Sequence, residues 1–278
     1  MRVNWRFVLL ALVVFGRNII RDYREQAPTP RRPVPEHVPD GPDYGDTKGP
    51  LPGASGFDPE ISVGLGRKKD STGTAFALDA AGWWITARHV VDQCAEIQLR
   101  FPGHRGVRVA RAVHHGNADL ALLRTGDAPH PLTLAQGALQ IGQNGFHVGY
   151  PRGSPGEVWS TLLGRRRMRV SGRYRTNEPV VAWAERRRRP AGLKNLGGLS
   201  GGPALDGAGR VVGVLVAESR RRGRVYTAAP ASIDQLISGG AGRGRPGRVF
   251  AITPATLEAR AEMLRRAPSV AKVICLVG

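Results

Sequence analysis

Cysteine is nearly absent from this chain of 278 residues, with only Cys94 and Cys275 present. Two thiols exclude a small fold built on a disulfide framework, and neither stands in a spacing used by metal sites. They admit one bridge in an oxidising compartment or two separate buried thiols. Aromatic residues are scarce, at 6%. They are not interleaved with the basic runs, and no nucleic-acid-binding motif is visible, so no specific nucleic-acid partner is expected. Lysine is rare too: five of the 41 basic residues, the rest being arginine. Such a skew fits GC-rich coding that places arginine on solvated surfaces. Acidic residues number 22, and the net charge is +19. The chain is therefore drawn to anionic matter of any kind, whether nucleic acid, acidic lipid or acidic protein.

Long apolar runs are missing with one exception. Phe7 to Phe15 is continuously apolar and follows Arg2 and Arg6, the form of a signal-peptide n-region and h-region. It falls short of the ~20 residues of a membrane span. No small-x-small cleavage site follows, which favours an uncleaved signal-anchor over a cleaved signal in residues 1–25. The expected location is membrane-anchored or exported, on the periplasmic side of a bacterial inner membrane. Residues 26–56 carry proline every few positions and read as a linker. From 57 to 237 the texture changes. Short apolar runs such as GWWITA, DLALLR and VVGVLVAE recur about every ten residues between glycine and charged turns. This pattern predicts an all-β barrel or sandwich. Beyond a Gly/Arg linker at 238–248, the last residues read as strand (249–253), helix (254–267) and strand (271–277). That unit is expected to pack on the barrel, with docking or self-association as the alternative.

The stretch NLGGLSGGPAL at 195–205 places Ser200 among glycines. Taken alone, a tight turn explains it. A serine nucleophile needs a base, and the base needs a partner that fixes its tautomer. Of the seven histidines, His37 lies in the proline-rich arm. His104, His114, His115 and His130 sit in polar turns, and His147 alternates within a strand. His89 differs, because it follows the apolar run GWWITAR and so stands on a rigid strand end. Thirty residues on, Asp119 heads the run LALLR. An aspartate there is costly to bury without hydrogen bonds, although a strand-initiating turn also explains it.

TARHV around His89, ADLALL around Asp119 and GLSGGP around Ser200 resemble the three catalytic blocks of trypsin-like, chymotrypsin-fold serine peptidases, in the same His–Asp–Ser order. GFHVGYPRG and VYTAAP resemble segments of bacterial members, including HtrA-type enzymes. The resemblance covers about residues 61–237. It implies two six-stranded antiparallel β-barrels, with His89 and Asp119 from the first and Ser200 from the second. It implies an endopeptidase acting through an acyl-enzyme, with an oxyanion hole from the N–H groups of Gly198 and Ser200. It implies a polypeptide substrate and neither cofactor nor metal. A base in this role works in its neutral form, so activity is expected to rise through about pH 6–7.

The chain departs from the family in several places. Leu199 stands where digestive members have the aspartate that pairs with a new N-terminus, so that activation switch is expected to be absent. The peptide-binding domain of HtrA-type enzymes is not expected in the residues after the linker, which are too few for one. The resemblance puts the floor of the primary specificity pocket at Lys194 and its wall near Val216, with Glu218 by the entrance. An internal Lys194–Glu218 pair would favour small or apolar residues, unless Lys194 turns out to solvent. The arginine runs at 165–167 and 186–189 are expected in solvated loops. The alternative to an enzyme is a binding module of the same fold that holds an acidic partner. The oligomeric state is left open.

Overall fold

The computed structural model of the chain describes residues 48–103, 106–128, 130–239, 247 and 249–278. The apolar run at 7–15, most of the proline-rich arm with His37, His104 and the centre of the Gly/Arg linker lie outside the described residues. Among those described, no helix is long and apolar enough to cross a membrane.

Among the described residues fourteen strands follow one another: β1 (Glu60–Leu65), β2 (Ser71–Ala77), β3 (Trp83–Ala87), β4 (Glu96–Arg100), β5 (Val107–Arg108), β6 (Arg111–His114), β7 (Leu120–Arg124), β8 (Asn144–Gly149), β9 (Gly156–Gly172), β10 (Thr176–Arg189), β11 (Pro203–Leu205), β12 (Val211–Ser219), β13 (Arg224–Ala228) and β14 (Val270–Leu276). A single helical turn, α1 (Arg88–Val91), interrupts the first half. Helices α2 (Pro230–Ser238) and α3 (Leu257–Arg266) lie in the second. Strands β3 (WWITA), β7 (LALLR) and β12 (VVGVLVAES) are mostly buried. Their branched and aromatic side chains suit a pleated surface covered on both faces.

The strands form two curled sheets, and the all-β double barrel holds. In the second sheet β9 pairs with both β10 and β8, which closes a ring of six strands, β8 to β13. Strand β1 adds outside that ring, parallel to β9. In the first sheet the segment 107–114 pairs with β4 through β5 and with β7 through β6, so one kinked strand bridges both edges. The remaining strands are β2, β3 and, between β2 and β4, the C-terminal β14. Trp84 and Trp183, both fully buried, anchor the two cores. Each indole N–H is satisfied, by Thr125 Oγ1 at 2.9 Å and Thr227 Oγ1 at 3.0 Å, as burial of that donor requires.

Two expectations change. The peptidase fold does not end at residue 237. Because β1 joins the other sheet, one edge of β2 is left unpaired, and β14 fills it. Residues 249–253 run beside the β11–β12 turn, with Phe250 and Ile252 N–H donating to Ala208 and Gly207 carbonyls. In α3, Leu257, Ala261 and Leu264 are buried together. The arginine runs at 165–167 and 186–189 are not loops. They lie within β9 and β10, the two longest strands. Guanidinium groups of these runs reach backbone carbonyls, as in Arg165 Nε to Pro52 O and Arg187 to Pro254 O.

The two cysteines are bridged across 181 residues of chain, with Cα atoms 5.5 Å apart. The bridge ties β14 to the segment just after α1. Closing so long a loop removes about 5 kcal/mol of chain entropy from the unfolded state in the loop-closure treatment, with measured costs of removal near 2–5 kcal/mol. Cys94→Ala/Cys275→Ala should therefore lower unfolding free energy by roughly 3–5 kcal/mol in denaturant titration. A loss under 1 kcal/mol would mean that β14 is held by sheet pairing alone.

Candidate active site

His89 sits in α1, which begins at the end of β3, and Asp119 stands immediately before β7. Strands β3 and β7 are neighbours, with Ala87 opposite Leu120. Strand register alone therefore brings these residues together across thirty positions of sequence. His89 Nδ1 meets Asp119 Oδ2 at 2.7 Å, and the backbone N–H of His89 donates to Oδ1 at 2.8 Å. Asp119 is buried and His89 half-buried. A carboxylate on Nδ1 fixes the ring with its Nε2 free to accept a proton.

The second sheet completes this arrangement through the tip of the β9–β10 hairpin. Tyr174 Oη donates to Asp119 Oδ1 at 2.6 Å, and the Asp119 N–H donates to Glu178 Oε1 at 2.6 Å. Arg173 Nη2 donates to the His89 carbonyl at 3.1 Å, and its Nη1 lies 3.3 Å from Asp92 Oδ2. Arg88 stacks on the Tyr174 ring, 4.0 Å from its centroid. Asn117 and Asn177 exchange two further bonds at 3.2 Å. Burial and the charge of Asp119 push the Tyr174 phenol well above its usual range, so it stays a donor. Nothing in the local sequence marks these hairpin residues, since their partners lie 55 or more positions away.

Glu178 is buried, and among the described residues its Oε2 has no hydrogen-bond partner. Burial first, with Asp119 close by, raises its carboxyl to about 8, although the hydrogen bond from the Asp119 backbone works the other way. Between its ordinary value of 4.5 and about 8 the folded state holds a proton that the unfolded state releases. Stability is then full below pH 4.5 and declines as pH rises towards 8. Glu178→Gln should remove this slope. Comparing denaturation at pH 5 and pH 8, the wild type should lose roughly 3 kcal/mol more than the variant. Parallel pH profiles would show that Glu178 is ionised throughout.

Ser200 lies in the turn between residues 196 and 202, where the two sheets meet. Thr74 N–H of β2 donates to Ser200 O at 2.9 Å, and Thr74 Oγ1 donates to Gly198 O at 2.8 Å. Gly201 has φ +86°, and a Cβ there would stand 2.1 Å from Thr74 O. Only glycine lets the second sheet press against the first at that point. Gly198 has φ +95° for the same turn. The Gly197 carbonyl is held by Arg152 N–H, and the Leu199 carbonyl by Gly202 N–H. Peptide planarity then turns the N–H groups of Gly198 and Ser200 away from those bonds. Among the described residues neither donates to a backbone carbonyl. His89, Gly198 and half-buried Ser200 line one cleft of about 390 Å³.

The remaining sequence-derived positions fall as follows. Val216 and Glu218 lie on β12, Val216 buried. Glu218 does not pair with Lys194. Its Oε1 contacts Arg188 Nη2 at 3.1 Å, and its Oε2 accepts the Leu196 N–H at 2.9 Å, while Lys194 is exposed. Arg188 also grips Glu185 with two nitrogens and donates to Leu193 O at 3.1 Å. A guanidinium fork can serve two carboxylates and a carbonyl at once, which an ammonium on a flexible stem does less well. His147 Nε2 meets Ser160 Oγ at 2.8 Å, but this pair is sealed in the second barrel. Burial lowers that imidazole to about 3, and among the described residues its Nδ1 has no partner. It therefore has neither an orienting acid nor access to substrate. His114 and His130 are exposed and His115 is half-exposed.

Residues 73–214, just over half of the chain, match the family described as Trypsin-like peptidase domain. Among solved structures, the Rv3671c protease from M. tuberculosis in its active form aligns with a TM-score of 0.52 at 18% identity, over 63% of this chain and 76% of that one. Its inactive form aligns with a TM-score of 0.50 at 19% identity, over 60% and 82%. The HtrA-type protease AlgW with decapeptide gives 0.45 at 16% identity, over 65% and 62%. No curated protein sequence matches the chain.

Proposed function

Since the chain belongs to the trypsin-like peptidase family and is a serine endopeptidase, we propose that Ser200, His89 and Asp119 are its nucleophile, base and orienting acid. The observation that carries this assignment is the 2.7 Å contact of His89 Nδ1 with buried Asp119, beside a cleft that His89 shares with Ser200. Ser200 Oγ attacks the carbonyl carbon of a polypeptide bond and passes its proton to His89 Nε2. The negative oxygen is held by the N–H groups of Gly198 and Ser200. His89 then hands the proton to the leaving amine as the C–N bond breaks. Water, deprotonated by His89, releases the acyl group and restores Ser200. Tyr174 and the His89 N–H keep the Asp119 carboxylate turned towards the ring throughout.

The residue before the cut bond is small or apolar in this reading. Glu218 is already committed to Arg188 and Leu196 N–H, which leaves no free charge on β12 to hold a basic side chain. The protein works at or beyond a membrane. The apolar N-terminal run supports this, as does the Cys94–Cys275 bridge, which suits an oxidising compartment.

A fluorophosphonate probe tests the assignment. Labelling on Ser200, located by peptide mapping and blocked by prior denaturation, is the expected result. A folded chain that never labels there would leave this architecture as a binding module for an acidic partner.

A further inference from the structure

The cleft beside Ser200 is walled mainly by the β1–β2 loop. Arg67, Lys68 and Lys69 come from that loop, and Arg173 comes from the hairpin tip. Against these four cations the lining holds one acid, Asp70, whose Oδ1 accepts the Val277 N–H. Just behind the wall, Asp92 pairs with Arg173. The three protons of the Lys68 ammonium go to Ser71 Oγ, His89 O and Val90 O. Burial first, and then the charge of Arg173, lowers that ammonium to about 8, with Asp92 offsetting only part of the effect. Positive charge in this wall therefore exceeds what the fold neutralises. Arg67 and Lys69 flank Lys68 with exposed ends and, among the described residues, have no acidic partner within ion-pair distance.

The chemistry fixes which part of a substrate reaches this wall. His89 must deliver its proton to the leaving amine, so the chain after the cut bond departs along the flank of His89. The lining includes His89 and Val90 but nothing from β12, which carries Val216 and Glu218.

We propose that this cleft is the subsite for the first three residues after the cut bond, and that it selects an aspartate or glutamate among them. The proposal rests on Ser200 and His89 being the reacting pair. A carboxylate there gains two flexible cations at the rim, above a base of half-buried positive charge that water screens less. A lysine or arginine in the same place meets four like charges against the single carboxylate of Asp70.

The full chain, incubated with a mixture of peptides from a digested proteome, gives the cut sites by mass spectrometry. In low salt, Asp and Glu should outnumber Lys and Arg roughly tenfold at one of the first three positions after the cut, the scale of two partly exposed pairs. The excess should shrink in 0.5 M salt. Arg67→Glu/Lys69→Glu, which changes only exposed side chains, should abolish or invert it while the fluorophosphonate still labels Ser200. A labelled enzyme with no acidic excess after the cut would overturn the subsite and leave the triad standing. So would an excess that survives in the double variant, or one found only before the cut. Absence of labelling would instead overturn the reading on which the subsite depends.

Discussion

Ser200→Ala should lower peptide hydrolysis by about 10⁶-fold and abolish fluorophosphonate labelling. The size follows from the role. Without the hydroxyl no acyl-enzyme forms, and only the oxyanion donors and substrate positioning remain to assist water. The fold should be untouched. Ser200 is half-buried, and its place in the turn is held by backbone bonds, its carbonyl to Thr74 and the flanking Leu199 and Gly201 N–H groups to Leu196 and Leu215. The variant's unfolding free energy should stay within about 0.5 kcal/mol of the wild type. Retention of more than about 1% of activity in a folded, purified variant, against that 10⁶-fold expectation, would place the nucleophile elsewhere.

Asp119→Asn should lower turnover by roughly 10⁴-fold, the cost found for this replacement in triads of this kind. Asp119 receives three donors, His89 N–H, His89 Nδ1–H and Tyr174 Oη–H. A carboxylate accepts all three, whereas asparagine offers one oxygen and an NH₂ group. If the NH₂ faces Nδ1, the imidazole takes the tautomer with its proton on Nε2 and cannot accept one from Ser200. If it faces the other side, it opposes the Tyr174 hydroxyl and the His89 N–H. The loss should appear in kcat, with KM changed little, because Asp119 touches no substrate. Near-normal turnover in a variant that binds substrate normally would remove Asp119 from the mechanism and turn attention to Glu178, whose Oε1 accepts the Asp119 N–H.

The sequence by itself determined the class of fold and named the trio that we propose reacts. Short apolar runs at ten-residue spacing can be satisfied only by many brief strands. His89 and Asp119 were legible because each sits at the end of an apolar run, WWITA or LALLR, and local pattern reveals a strand end. Ser200 was singled out only by its place as the third of three family-like blocks in order, because a glycine-rich turn by itself explains the stretch around it. The tertiary structure alone decided the rest. The arginine runs looked like loops because charge usually marks solvent, yet a strand tolerates arginine when its head finds a carbonyl. Lys194 and Glu218 were neighbours on paper, but Arg188 from β10 reached Glu218 first, and no spacing in the sequence encodes that cross-strand contact. The C-terminal strand read as an appendage, because only strand pairing shows that β1 leaves an edge of β2 open. The supports of the triad, Tyr174, Glu178 and Arg173, carry no local signature, because they act on groups that only folding brings near.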